Sequence, residues 1–541
     1  MDEKQMLCTI IEKGYFPKEL IPPFETKKLS SILDTVVIPR LNSFTNTKSK
    51  YCDYSISNVN HIRRILGIPN PLNQIRLGKV IVDNWSEITH HIYSSTLSLS
   101  KPIFKDGSKS ALSKEVDLSD ISHERATRST NTYYLLRADI ARFYSTIYTH
   151  SIPWALHTKP VAKSQQRNRN LLGNLLDIYV REAQDNQTLG IPVGPDTSLV
   201  ISEIIGAAID KKVYDKIKGI KNGFRYLDDY FLYFNSKAEA ETALAEFSII
   251  LGEYELELNT SKTKIISLPE PLEPRWVYEL RLFEFDDHEQ KKSIISYFSK
   301  AFDMAKMFPD DRVLLYSLNR IEKVSINIVD WELFEAMVLK VILAEPDAIP
   351  LSIKIFLKYY KMGHKLNCER IKNTIHEIIS YHGKYGRSKE VAWALWMCYI
   401  FQISIEPDII NMLSCQHNPI VALIILDLQN KNLLKDKVDI SIWQSLMNPD
   451  SLYNEDWLLA YEASVKGWIN TTSDYIKDDP FFSVLRANNV NFYNDKAGTT
   501  ITEITPTEPV EGFVEISDLP DEFFEPFEQN VEYGGDISGA H

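Results

Sequence analysis

The segment GFRYLDDYFLYFNS, residues 223–236, contains the strongest fold signal in this chain of 541 residues. Aromatic and other strand-forming residues lie on both sides of the adjacent acids Asp228 and Asp229, which predicts two short strands joined by a hairpin turn. Two neighbouring carboxylates in a turn repel each other, so the pair costs stability unless a cation or a basic group offsets it. The chain contains other Asp-Asp pairs, and only the strand setting distinguishes this one.

A second strand signal, YYLLRADIARFY at residues 133–144, contains a single acid, Asp139. Transfer of a nucleotide uses two divalent ions about 3.5–4 Å apart, one at the attacking hydroxyl and one at the leaving group. Mg²⁺ prefers carboxylate, carbonyl and phosphate oxygens. If the two strand regions are neighbours, Asp139, Asp228 and Asp229 form a suitable set of ligands for two Mg²⁺ ions, with Mn²⁺ as a substitute.

The elements between and after these strands predict an α+β fold. Residues 171–184 and 198–217 carry apolar residues at helical spacing, and residues 238–254 predict a further helix after the hairpin. This order of strand, helix pair, hairpin and helix differs from the regular alternation of a doubly wound fold.

Three domains are predicted from the change in sequence character along the chain. Residues 1–285 mix strands and helices, and residues 286–490 are almost purely amphipathic helical blocks. A stacked helical-repeat domain is the favoured interpretation of the second region, with a plain helical bundle as the alternative. Residues 491–541 predict an acidic, largely extended C-terminal tail.

Charge and cysteine content limit the partners and the compartment. The net charge of −13 is concentrated at the end, because residues 500–541 hold eleven acids and no Lys or Arg, while residues 1–225 carry +9. A nucleic-acid partner is therefore permitted, although an unevenly charged surface explains the same numbers. Five scattered cysteines, no apolar run of membrane length and no signal peptide predict a cytoplasmic protein without a membrane partner.

Five segments, taken together, resemble the motifs of reverse transcriptases. Asp139 with Phe143 and Tyr144 resembles motif A, and residues 226–229 (YLDD) resemble motif C. QTLGIPVGPDTS at residues 187–198 resembles motif B, LELNTSKTKI at 256–265 resembles motif D, and PRWVYELRLF at 274–283 lies where motif E would fall. The resemblance implies a fingers-palm polymerase domain.

Three longer segments are similar to the abortive-infection and defence-associated bacterial reverse transcriptases. They are residues 68–85, 143–163 and 190–210, and one departure is Thr158, where a glycine is expected. Members of that branch carry a helical-repeat domain after the polymerase domain, as predicted for residues 286–490. The resemblance implies DNA synthesis from dNTPs in anti-phage defence, either copying an RNA, such as a non-coding RNA, or without a template, and with a protein as a candidate primer.

The resemblance also implies roles for individual residues. Asp139 and Asp228 would bind both metal ions, Asp229 would be a weaker ligand, and the carbonyl of Ile140 would add an oxygen. Lys262 would protonate the leaving pyrophosphate or merely balance charge. Residues assigned to substrate binding are Tyr226, the sugar-selecting ring Tyr144, the loop residues Gly190, Pro192 and Gly194, and the arginines Arg128 and Arg125.

Several alternatives remain open at this point. A core aromatic is the alternative interpretation of Tyr144, and Arg128, Arg125 and the weaker candidate Arg76 also fit a surface-charge role. A catalytically silent polymerase fold that binds RNA or a phage protein is the rival function, although the three retained acids count against it. RNA synthesis from rNTPs is disfavoured by Tyr144. Helical repeats offer surfaces for a homo-oligomer.

Overall fold

The computed structural model describes residues 1–57, 63–105, 107–286, 288–322 and 324–506. The predicted tail beyond residue 506 therefore lies outside the described residues. The first four strands along the chain form two small antiparallel pairs. They are β1 (Cys52–Ser57) with β2 (Arg63–Ile68), and β3 (Pro102–Ile103) with β4 (Ser113–Lys114).

A four-stranded antiparallel sheet positions the predicted acids. Its strands are β5 (Tyr134–Asp139), β6 (Asn222–Tyr226), β7 (Asp229–Phe234) and β8 (Lys264–Ser267), in the order β6-β7-β5-β8. The predicted hairpin is confirmed as β6 and β7, and the predicted strand around Asp139 is β5.

Along the chain, helices precede, separate and follow the strands of this sheet. They are α1 (Glu3–Lys13), α2 (Lys27–Ile32), α3 (Pro71–Asp83), α4 (Trp85–Tyr93), α5 (Ile121–Arg128), α6 (Phe143–Thr146), α7 (Ser151–His157), α8 (Lys159–Ser164), α9 (Leu172–Glu182), α10 (Asp196–Lys216), α11 (Lys237–Gly252) and α12 (Arg275–Arg281). The segment at the motif E position thus forms helix α12. Mixed α and β content in this part of the chain is confirmed.

The remaining described residues are helical, as predicted. Their helices are α13 (Gln290–Met307), α14 (Val313–Ile321), α15 (Trp331–Ala344), α16 (Ile349–Lys361), α17 (Cys368–Gly383), α18 (Ser388–Ile400), α19 (Pro407–Ser414), α20 (Pro419–Asn430), α21 (Ser441–Ser445), α22 (Trp457–Val465), α23 (Tyr475–Asp478) and α24 (Phe482–Ala487). The repeat arrangement and the domain boundaries stay predictions. No helix within the described ranges has both the length and the apolar character needed to cross a bilayer.

The two faces of the central sheet belong to different cores because side chains alternate along each strand. Leu136, Ala138 and Leu232 face a core shared with α10 and α11. On the other face, Leu135 and Phe231 pack in a smaller core with residues of the segment between β3 and α5. The sheet is therefore covered on both faces, away from the strand ends that carry the acids.

The C-terminal helices pack directly on the β1–β2 hairpin and on the N-terminal segment. Arg63 forms a double ion pair with the buried Glu390 of α18, with 2.9 Å between Nη2 and Oε2. The indole of Trp457 donates to the carbonyl of Ile68 at 3.1 Å. Tyr493 is buried and bridges to Phe24. The helical part thereby supports the hairpin that stands next to the candidate site.

Candidate active site

Three acids meet at one end of the two inner strands of the central sheet, β5 and β7. Asp139 ends β5 and lies opposite Asp229, the first residue of β7, in the strand ladder. Asp228 occupies the turn between β6 and β7, and its carbonyl accepts the N–H of Ile140 at 3.2 Å. Leu227, the other turn residue, has φ of 56°. The structure thus brings together the three carboxylates that the sequence places far apart.

The electrostatics of this acid cluster favour a cation. Burial, followed by the charge of Asp139, raises the pKa of Asp228 to about 6. Burial and the charge of Asp228 raise the pKa of Asp229 to about 8. The Oδ1 atom of Asp229 is buried and has no hydrogen-bond partner among the described residues. A divalent cation would satisfy that oxygen and offset the repulsion.

The donor set is open, and this suits Mg²⁺. Within the part of the chain that the structure describes, no group of three or more His, Cys, Asp or Glu side chains is arranged to hold a metal ion by itself. Mg²⁺ normally keeps several waters and takes one or two carboxylates together with substrate phosphates. Asp228 and Asp139 fit that pattern, and metal ligation by these two acids, by Asp229 and by the carbonyl of Ile140 stays a prediction.

Two basic side chains stand next to the acids. The Nζ atom of Lys262 lies 3.7 Å from Oδ2 of Asp139, and its charge lowers the pKa of both Asp228 and Asp229. Arg137 of β5 is buried, and its charge also lowers the pKa of Asp229. Lys262 is partly exposed and accessible from solvent, whereas Arg137 belongs to the sheet.

A cleft of about 1190 Å³ reaches the turn between β6 and β7 at Tyr226 and Leu227. Its far wall is formed by residues of α12 and α14. Basic side chains that line it include Lys18, Arg64, Lys114, Arg125, Arg312 and Arg320. With Arg281 the described residues of the lining include seven basic side chains, against the five acids Glu19, Asp117, Asp196, Glu273 and Asp311. A concave surface with a net positive charge attracts phosphates. Lys114 lies over the ring of Tyr226, with 5.2 Å between Nζ and the ring centroid.

Tyr144 forms part of the cleft wall and is half-buried. Its hydroxyl accepts a hydrogen bond from Oγ of Ser202 at 3.1 Å, and burial raises its pKa to about 12. The ring is held from α10 while it faces the cleft. This position fits the predicted sugar-selecting role, which the structure leaves untested.

The motif B loop depends on two glycines with positive φ. Gly190 has φ of 83°, and a Cβ there would lie 3.1 Å from the carbonyl oxygen of Ser145. Gly194 has φ of 124° and lines the cleft. Pro192 is buried beside Gly67. Gly190 and Pro192 therefore shape the loop, and Gly194 is the member of the three that a ligand would approach.

The predicted arginines have other partners. Arg128 donates to Glu124 at 2.6 Å and to the carbonyl of Gly223 at 2.7 Å. Arg76 is buried and donates to the carbonyls of Phe44 and Asn46, both at 2.6 Å. Neither Arg128 nor Arg76 is among the described residues that line the cleft. Both guanidinium groups are committed to backbone carbonyls that the sequence could not assign.

Arg125 lines the cleft but is also engaged, because it donates to the carbonyl of Leu272 at 2.9 Å and to Glu270 at 2.7 Å. Arg64 is the arginine that sequence reasoning missed. It is exposed on β2, lines the cleft, and its charge lowers the pKa of Asp228. The adjacent pair Arg63-Arg64 in a strand was an available signal, because neighbours in a strand face opposite sides.

Comparison with known proteins agrees with this geometry. Residues 68–297 match the family model described as reverse transcriptase (RNA-dependent DNA polymerase). The match contains β5, the β6–β7 hairpin, the motif B loop and Lys262. The chain carries a reverse-transcriptase domain. The three acids lie where the predicted motifs A and C of this domain meet.

Solved structures that resemble the chain include fungal telomerases. Apo telomerase from Candida tropicalis truncated from the C-terminal domain is 11% identical over 45% of this chain and 56% of that chain, with a TM-score of 0.30. Apo telomerase from Candida tropicalis, without that truncation in its description, is 11% identical over 69% of this chain and 68% of that chain, with a TM-score of 0.31. Telomerase from Candida albicans in complex with the TWJ fragment of telomeric RNA is 12% identical over 68% of this chain and 61% of that chain, with a TM-score of 0.28.

These likenesses are distant, and the chain spans just over half the length of the first telomerase. The curated proteins contain no match to this chain. The assignment of the reverse-transcriptase domain therefore rests on the family match.

Proposed function

We propose that this protein synthesises DNA from dNTPs at the end of the inner strands β5 and β7, with Mg²⁺ as the cofactor. One observation supports this proposal most directly. Asp139, Asp228 and Asp229 converge beside a basic cleft, and an oxygen of Asp229 is buried without a hydrogen-bond partner among the described residues. Such a cluster is costly unless it holds cations.

The proposed chemistry divides among residues of this chain. Asp139 and Asp228 would hold the metal ions, which lower the pKa of the attacking hydroxyl and stabilise charge on the phosphates. Arg64 reaches the cleft from β2 and would bind the triphosphate, because a guanidinium fork matches phosphate oxygens. Lys262 would supply a proton to the leaving pyrophosphate. Tyr144 would exclude the ribose 2′-hydroxyl.

Its biological setting is proposed from the sequence alone. The segments similar to defence-associated bacterial reverse transcriptases support a role in stopping phage propagation in the cytoplasm. RNA, DNA and dNTPs are the proposed partners, with self-assembly through the helical part as a further one. Template use and protein priming are alternatives that the reaction product distinguishes.

The raised pKa of Asp229 gives the rival function its one specific support. At a pKa of about 8 this carboxyl is neutral at pH 7 without metal, so the cluster tolerates an empty site. A silent polymerase fold that binds RNA or a phage protein is therefore the second candidate.

An assay of nucleotide incorporation separates the two functions. Purified protein is incubated with Mg²⁺ and labelled dNTPs, with and without RNA or primer, beside an Asp228→Asn variant and an EDTA control. We expect product only from the unmodified protein with metal. The binding function would be supported instead if no condition yields product while Asp228→Asn cells still resist phage. Sequencing the product and testing its 5′ end for protease sensitivity would identify template and primer.

A further inference from the structure

Behind the turn between β6 and β7 lies a fully buried ion network centred on Arg225 of β6. The guanidinium donates to both carboxylate oxygens of Glu203, at 2.7 and 3.0 Å, and through Nε to Oδ1 of Asp210 at 2.9 Å. Both acids belong to α10 and are buried as well. None of these residues was singled out from the sequence.

The network holds both backbone polar groups of Leu227. Nη1 of Arg225 donates to the carbonyl of Leu227 at 2.9 Å. The N–H of Leu227 donates to Oγ of Ser100 at 2.8 Å, and that hydroxyl donates in turn to Oε1 of Glu203 at 2.8 Å. A connected set of hydrogen bonds therefore runs from the N–H of Leu227, through Ser100, Glu203 and Arg225, to the carbonyl of the same residue.

Leu227 is the residue whose conformation most needs support. Its φ of 56° lies in the left-handed region, which side chains other than Asn, Asp or His rarely adopt. The next residue is Asp228, so this conformation sets the direction of the carboxylate. Without the two hydrogen bonds, the turn would be free to relax toward a more ordinary conformation.

We propose that Arg225, Glu203 and Ser100 are positioning residues that hold the Leu227 turn and thereby orient Asp228 for metal binding. This inference rests on the proposed function. A buried ion pair is usually no more stable than apolar packing of the same volume, so stability alone does not account for the network. Directional hydrogen bonds to both sides of one strained residue do.

The packing around Arg225 supports a role that depends on its position. A Cβ added to Gly206 of α10 would lie 2.6 Å from Cζ of Arg225. The absence of a side chain at residue 206 leaves the space that the guanidinium occupies. Any atom placed there would push the guanidinium away from its partners.

Ser98 provides a matched control for Ser100. Its Oγ donates to the other oxygen of Glu203, Oε2, at 2.8 Å, and it is equally buried. Leu227 donates to Ser100 and not to Ser98. Ser98→Ala and Ser100→Ala therefore each remove one hydrogen bond to Glu203. Ser98→Ala also releases the N–H of Ser100, which donates to Oγ of Ser98 at 3.3 Å, whereas only Ser100→Ala releases the N–H of Leu227.

The test measures Mn²⁺ binding by electron paramagnetic resonance on the full chain, together with kcat and KM for dNTP. We expect Ser100→Ala to raise the Mn²⁺ dissociation constant and lower kcat by about tenfold, the usual effect of losing a group that orients a ligand. Ser98→Ala should change neither value comparably. Gly206→Ala, which displaces Arg225 from the opposite side, should act like Ser100→Ala and replaces it if that variant does not fold.

The outcomes separate the two levels of the proposal. Equal Mn²⁺ affinity in the Ser98 and Ser100 variants, or normal affinity in Gly206→Ala, would overturn the positioning role. If Asp228→Asn binds as much Mn²⁺ as the unmodified protein, or if the unmodified protein binds none, the proposed function itself is contradicted, and not only the positioning role. Restored affinity in Ser100→Thr, which keeps a hydroxyl, would support the hydrogen bond as the cause.

Discussion

Asp139 and Asp229 are directly opposite each other in the ladder between β5 and β7, and Asp228 adjoins them in the turn. Three buried or half-buried acids thus share one small volume. Their mutual repulsion and burial raise the pKa of Asp228 and Asp229. The site is consequently receptive to a cation.

Metal binding should therefore stabilise this protein. We expect Mg²⁺ or Mn²⁺ to raise the thermal midpoint of the unmodified chain relative to EDTA, because only the folded state assembles the three acids. Asp228→Asn should lose most of that increase. Differential scanning calorimetry measures the effect, and equal increases in both proteins would contradict a site at Asp228.

Asp229→Asn should separate stability from activity. Removing one of the repelling carboxyls should raise the thermal midpoint in EDTA, because burial and Asp228 already disfavour its charge. DNA synthesis should fall on the order of 10²–10³-fold, as expected from losing several kcal/mol of charge stabilisation. A variant that is less stable in EDTA would show that the acid is structural.

Arg64→Ala should weaken dNTP binding. Because Arg64 lines the cleft and its charge acts on Asp228, its loss should raise KM for dNTP by about tenfold, equivalent to one strong charge-assisted contact. Arg128→Ala is the control, since Arg128 is bound to Gly223 and should affect stability instead. Steady-state kinetics on both variants measure KM for dNTP. A raised KM in Arg128→Ala with an unchanged KM in Arg64→Ala would instead indicate Arg128 as the triphosphate ligand.

Tyr144→Ala should increase incorporation of rNTPs relative to dNTPs, because it removes the ring at the cleft wall. Tyr144→Phe keeps the ring and loses only the bond with Ser202, so its sugar selectivity should match the unmodified protein. Competition assays with labelled nucleotides compare the three proteins. Unchanged selectivity in Tyr144→Ala would leave the residue as a core aromatic.

Thr158→Gly should stabilise the protein. Thr158 joins α7 to α8 with φ of 71° and ψ of 149°, a combination that is essentially restricted to glycine. We expect a gain of about 1 kcal/mol after the greater freedom of glycine in the unfolded chain is subtracted. Thr158→Ala retains the strain and serves as the control. Chemical denaturation measures both, and equal midpoints would contradict the strain.

Glu462→Gln should change how stability depends on pH. Burial raises the pKa of Glu462 to about 8, although the N–H of Phe492 and the charge of Lys466 lower it, and Asp495 raises it further. The stabilisation from its proton is fully present below pH 4.5 and is lost as the pH rises through 8. The variant should gain on the order of 1–3 kcal/mol over the unmodified protein above pH 8. A constant difference across pH would contradict the raised pKa.

Local patterns were sufficient to predict the elements that carry the acids. The aromatic flanks of Asp228 and Asp229 predict β6 and β7, and the apolar run around Asp139 predicts β5. Motif spacing also predicts the order of the sheet's strands and helices along the chain, and the family match over residues 68–297 agrees with it. These features depend on neighbours in sequence, so they can be inferred without a structure.

The long-range partners of the charged side chains could not be predicted in this way. Arg63 and Arg64 are adjacent, yet Arg63 pairs with Glu390 while Arg64 lines the cleft. Strand alternation says that the two must diverge but not which faces the substrate. Arg128 and Arg225 likewise depend on carbonyls and acids brought to them by other elements.

The sequence by itself therefore determined a reverse-transcriptase type of domain and the helical character of the described residues within 286–490, and it predicts Asp139, Asp228 and Asp229 as the acids of the site. Only the tertiary structure decided which basic groups reach the cleft and how the Leu227 turn is held. The physical reason is that hydrophobic spacing and turn chemistry are local, whereas the partner of a buried charge depends on which distant residues folding brings within hydrogen-bonding distance.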